Sequence, residues 1–201
     1  MNHFIAIAGS NRHGSTNKKL IKFMKERYAK VAEIEILDIG NLPVYYKTPD
    51  HTIPEAAQEM GKKIAAADGV IISTPEYDHA VPAVLMNALA WLSYTIHPFR
   101  DKPVMVTGAS YGTLGTSRAQ QILRKMLASP ELAARTMSSS EYMLDHSLQA
   151  FDEHGELKKA EFVDLLDQIF VSFETFVKQT REFQLEKDHA LEEIRQLELG
   201  K

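Results

Sequence analysis

A chain of 201 residues with 44% hydrophobic and 25% charged side chains has the size and composition of one globular domain with a full core. A formal charge of −4 gives no electrostatic footing for nucleic acid or an anionic membrane as a partner. The absence of cysteine excludes disulfides and thiolate metal sites, as expected of a reducing, cytoplasmic setting.

The opening apolar run, Phe4 to Ala8, is too short for a signal h-region or a bilayer span. It reads as a buried strand. Gly9, Ser10, Arg12, Gly14, Ser15, Thr16 and Asn17 follow, and helical periodicity begins at Lys18 with Leu20, Ile21, Phe23, Met24 and Tyr28 on one face. A strand turning directly into a helix presents free N–H groups and the positive end of the helix dipole, which favours an anion. The hydroxyls of Ser10, Ser15 and Thr16 add donors, and Arg12 adds a charged fork. Two better-known phosphate loops fail here. Ser15 stands where a Walker A loop needs Lys, and Asn11 where the dinucleotide fingerprint needs its second Gly. A terminal phosphate monoester remains, although the same residues would also serve a plain Ser-capped turn.

Residues 32–39 form the second strand, and Pro43, Pro49 and Pro54 hold 40–54 as a loop. A helix opens at Pro54-Glu55 and runs to about Ala67. Residues 68–74 are apolar at consecutive positions, as a strand covered on both faces must be, and Pro75 stops it. The following loop, 74–82, places Glu76, Tyr77, Asp78 and His79 between two prolines, a rigid edge for a planar heterocycle. Its residues would equally suit a helix entry, with Asp78 as the cap and Tyr77 as surface packing. A helix over 82–94, a buried strand over 102–109 and a second Gly- and hydroxyl-rich turn, Ser110 to Gly115, come next. In that turn Gly112 allows backbone approach and Tyr111 can wall a site.

Arg118 to Ala128 is helical, and Arg135 to Leu144 forms a fifth strand of mixed polarity at the sheet edge. From Glu156 onward the pattern is helical throughout, with Leu165, Leu166, Ile169, Phe170, Phe173, Phe176 and Val177 as a broad apolar face. Residues 1–181 then form the domain, and 182–201 a charged helical extension. Five strands alternating with helices give an α/β three-layer sandwich with a parallel sheet. Order 2-1-3-4-5 makes the three unusual loops neighbours beyond the carboxyl ends of strands 1, 3 and 4, where ligands of such folds bind.

These residues resemble a known family, the NAD(P)H-dependent FMN reductases of flavodoxin-like fold, which include azo, quinone and chromate reductases. The likeness rests on Gly9-Ser10-x-Arg12-x-x-Ser15-x-Asn17, on Pro75-Glu76-Tyr77 with Pro82 and Asn87-Ala88, and on Gly108-Ala109-Ser110 with Arg118-Ala119-Gln120. It implies that Ser10, Arg12, Ser15, Thr16 and Asn17 bind the FMN phosphate. Pro75, Glu76, Tyr77 and Asp78 would line the ring, and Ser110, Tyr111, Gly112 and Thr113 would complete the site. It also implies NADPH or NADH as co-substrate, a flavin, quinone or azo acceptor, and a homodimer or homotetramer. No side chain is expected to be catalytic in the strict sense, because FMN carries the chemistry. Asp78 stands where the family commonly has Asn, and Met86 and Ala90 where it has Lys and Asp. The competing reading is a flavodoxin-like electron carrier without turnover of its own.

Overall fold

The computed structural model describes residues 1–138 and 141–199, with side chains through 197. Its elements are β1 (Asn2–Ala8), α1 (Thr16–Arg27), β2 (Ala32–Leu37), α2 (Glu55–Ala66), β3 (Gly69–Ser73), α3 (Ala83–Tyr94), β4 (Pro103–Ala109), α4 (Ser117–Leu127), β5 (Arg135–Thr136), β6 (Tyr142–Leu144), α5 (Ser147–Ala150) and α6 (Ala160–Leu199). The strands form one parallel sheet in the order β2-β1-β3-β4-β5, with β6 also on β4. This is the expected flavodoxin-like topology.

Alternation along the central strands divides the core in two. Phe4, Ala6 and Ala8 of β1, with Ile71 and Met105, face α1 and α6. Ile5 and Ile7, with Val70, Ile72, Val104 and Val106, face α2, α3 and α4. Successive side chains of a strand point to opposite faces, so a strand covered on both sides must be apolar at every position. The five apolar residues named for α1 are all buried, as are Leu85, Leu89, Trp91 and Leu92 of α3. Leu165 is the exception on α6, exposed one step off the stripe that Leu166, Ile169, Phe170, Phe173 and Val177 bury.

Three expectations need correction. The fifth strand is two short pieces, β5 against the start of β4 and β6 against its end. Residues 139–140 within the expected strand lie outside the described residues. The helix expected from Lys18 begins at Thr16 with Ser15 as its N-cap, accepting from the Lys18 N–H at 3.4 Å. The chain after Glu156 first pairs Leu157 with Phe151 and enters α6 only at Ala160.

Close packing beneath the site leaves one position no room for a side chain. A Cβ at Gly108, on β4, would overlap the Thr116 hydroxyl and approach the Thr74 carbonyl oxygen to 2.7 Å. Both neighbours are buried, so neither can step aside. Gly108→Ala is expected to cost about 3 kcal/mol through overpacking, read as a lower urea midpoint with an unchanged m-value.

Candidate active site

Three loops leave the carboxyl ends of β1, β3 and β4 and enclose a cleft of about 600 Å³, within the usual range for small-molecule sites. Of the residues singled out from the sequence, all but Ser10 line it. Ser10 lies buried behind it. Its hydroxyl accepts from the Arg12 N–H at 3.2 Å and sits 3.4 Å from the Tyr77 hydroxyl, so it shapes the first loop and reaches the second.

The first loop is fixed to the sheet by Asn17, buried in the first turn of α1. Its Oδ1 accepts from the Ser73 hydroxyl at 2.8 Å and the Ala109 N–H at 2.9 Å, and its Nδ2 donates to the Ala109 carbonyl at 2.8 Å. That side chain is a brace, so Asn17 faces the cleft mainly through its backbone. Thr16 accepts from the buried Ser147 hydroxyl at 2.9 Å. The first turn of α1 carries no acidic residue, so its positive end is not cancelled from within. Arg12 crosses to the third loop, where its guanidinium donates to the Tyr111 hydroxyl and lies 5.3 Å from the ring centroid.

The second loop is a tight hairpin. Tyr77 and Ala80 exchange backbone bonds of 3.2 and 2.9 Å, and Asp78 and His79 between them have φ of 50° and 62°. Two successive left-handed residues make the twist-matched two-residue turn, which Asn and Asp enter more readily than most residues. Glu76 precedes the hairpin and lines the cleft, and its carboxylate is engaged by the start of α4. It accepts from the Arg118 and Ala119 N–H groups at 3.0 and 3.1 Å, capping α4 from another loop. Burial would raise the pKa of Glu76, but the bonds from Ala119, His79 and Arg118 outweigh it and hold the carboxyl below the usual range. The Arg118 guanidinium also lies 3.0 Å from Nδ1 of His79, so the side chains of Glu76, His79 and Arg118 form one cluster at the start of α4.

In the third loop the Ser110 hydroxyl donates to the Gly112 carbonyl at 3.0 Å, and His146 N–H meets the same oxygen at 3.2 Å. Gly115 and Thr116 have φ of 54° and 72°, turning the chain into α4. His79, Ala109, Leu114, Thr116 and Arg118 line the cleft without having been assigned to it from sequence. For Arg118 a signal was present, since it opens the Arg118-Ala119-Gln120 motif. Ala109 stands inside the Gly108-Ala109-Ser110 motif, and His79 and Leu114 lie in the two loops already marked out, whereas nothing in the sequence singled out Thr116.

Residues 3–149 match the family of NADPH-dependent FMN reductases. The chain belongs to that family. Among its relatives, the NADH:(hydroxy)cinnamate reductase subunit CrdA of Vibrio ruber is 47% identical over 176 residues, 88% of this chain and 87% of that protein. The NADH-dependent flavin reductase subunit 2 of Lactobacillus johnsonii is 39% identical over 184 residues, 88% of this chain and 98% of its own length. In structure the chain resembles the NAD(P)H:(acceptor) oxidoreductase FerB of Paracoccus denitrificans, with a TM-score of 0.81 and 26% identity over 90% of this chain and 99% of FerB. It is therefore an oxidoreductase that uses FMN with NADH or NADPH.

The residues present fit an FMN reductase. An uncancelled helix start with hydroxyls and Arg12 suits a phosphate, and the hairpin and third loop bring two partly exposed tyrosines, Tyr77 and Tyr111, to one mouth. Glu76 offers a test of how that mouth is held. Its native carboxyl is depressed, so its capping contribution is complete above the ordinary Glu range near pH 4.3 and is lost as pH falls through the lower native value. Glu76→Gln is expected to cost about 1 kcal/mol at pH 7 and to make the acid limb of the stability curve shallower, measured by urea unfolding at pH 7 and pH 4.

Proposed function

We propose that this FMN reductase takes hydride equivalents from NADH and passes them to a flat conjugated acceptor such as a free flavin or a quinone. The observation that carries this reading is the convergence of an anion-ready helix start and two exposed aromatic walls on one open cleft. The Vibrio and Lactobacillus relatives are named for NADH and for flat conjugated substrates, which supports both donor and acceptor class.

In this reading Ser15, Thr16 and the first-turn N–H groups, Asn17's included, hold the phosphate together with Arg12, while Ser10 fixes the loop from behind. Pro75 to Asp78 and Ser110 to Thr113 border the ring. Bound FMN supplies the hydride-transfer chemistry, and the chain supplies binding, orientation and local potential. Glu76 acts through the backbone it fastens to α4. Self-association as a homodimer or homotetramer is supported by α3, which carries no charged side chain from Ala83 to Tyr94 and exposes Met86, and by the exposed Val44 and Tyr46 of the loop that Asn87 and Trp91 of the same helix hold. A cytoplasmic setting is supported by the lack of cysteine; among the described residues no helix is long and apolar enough to cross a membrane.

Mixing the FMN-loaded protein with NADH is expected to bleach the flavin absorbance within seconds, and added quinone to restore it. A flavin that stays oxidised would mark an electron carrier instead. Arg12→Ala is expected to weaken FMN binding by about tenfold to a hundredfold, the worth of charge-assisted bonds to phosphate. Flavin reduction at saturating FMN should change little. Fluorescence titration reads the first effect and stopped-flow absorbance the second, and undiminished FMN retention would count against the phosphate assignment.

A further inference from the structure

Among the described residues, the end of α6 from Asp188 is exposed throughout, and its polar contacts, Gln184 with Asp188 and His189 with Glu193, run along the helix itself. The helix is fastened to the sheet's amino end as far as Lys187: Arg181 pairs with Asp68 at 2.6 Å, Arg135 lies 4.4 Å from the Phe183 ring centroid, and Lys187 pairs with Asp101 at 3.1 Å. From Asp188 to Leu197 every residue is exposed. That stub still carries a helical stripe. Leu191 and Ile194 stand at core spacing, 41% and 55% exposed, with Ala190 and Leu197 along one border and Asp188 and Arg195 along the other. A short helix with nothing packed on it is marginal in water.

We propose that this stub pairs antiparallel with the same stub of a second copy of this chain. The argument is self-complementarity. In a two-fold antiparallel pair, Leu191 meets Ile194 of the second copy and Ile194 meets its Leu191. The same register sets Asp188 beside Arg195 of the other copy, twice over, and fits small Ala190 against large Leu197, twice over. Parallel pairing sets like positions side by side and forms no such ion pairs. Because α6 is tied to the starts of β3 and β4, the contact lies at the end of the sheet away from the cleft. It is also separate from the α3 surface, so the two together would build a tetramer from dimers.

Sedimentation velocity or light scattering on the full-length, FMN-loaded protein decides the matter. The wild type is expected to have twice the mass of Ile194→Asp. Asp188→Arg alone should lower the mass in the same way, and Asp188→Arg combined with Arg195→Asp should restore it. Since the chain lacks cysteine, Leu191→Cys protein mixed with Ile194→Cys protein should form the mixed disulfide dimer in preference to either like dimer. FMN retention, equal in every variant, confirms that each is folded and reports on the cleft separately. Equal masses for the wild type and Ile194→Asp would overturn the proposal, which includes the case of a different protein occupying the stripe. Failure of the double charge exchange to restore the mass, or preferential like disulfides, would overturn the antiparallel register.

Discussion

One amide fastens the site together. The ladder of a parallel sheet orders strands only as far as it runs, and here β3 ends at Ser73 and β4 at Ala109. Asn17 joins both ends through three hydrogen bonds of 2.8 to 2.9 Å made by a single side chain. Since Asn17 belongs to the first turn of α1, the same bonds fix where that helix begins relative to the sheet. The N–H groups at that helix start are therefore held in place by the scaffold itself, which lowers the cost of ordering them for an anion.

Two helix starts face this cleft, and the chain treats them oppositely. At α4 the Glu76 carboxylate reaches across from another loop and takes two N–H groups, so the favourable position for negative charge is already filled. At α1 the cap is the neutral Ser15, and no acid stands in the first turn. The difference gives the cleft a polarity, and a dianionic group finds its best potential at α1. Filling the other start has a structural use as well, because Thr116 enters α4 in a left-handed conformation that suits a β-branched residue poorly. Burial, the bond from Gln120 and the cap from Glu76 hold it there.

The central strands were readable in the sequence because consecutive apolar residues leave such a strand only one environment, and the flavodoxin-like order then brought the three loops that line the cleft side by side. The edge strand was not, since Arg135 to Leu144 has too little apolar pattern to say that only its two ends pair. The roles of Asn17 and Glu76 were hidden for a different reason. Spacing identifies a side chain near a site, but whether its polar atoms turn toward the ligand or the scaffold depends on residues far along the chain. Asn17 is answered by Ser73 and Ala109, and Glu76 by Arg118 and Ala119. Such pairings become visible only once topology has brought the segments together.

Asp78 shows how the scaffold explains a departure from a family pattern. At φ of 50° the position demands a residue that tolerates the left-handed region, and Asn and Asp share that tolerance because their short polar side chains bond locally. Exchanging one for the other keeps the turn and removes a donor. The hairpin's backbone bonds are made by Tyr77 and Ala80. In the proposed binding mode the amides of the turn itself are then the donors offered to this side of the ring, on backbone that the turn has already set, and the side chain at 78 would tune the charge beside it.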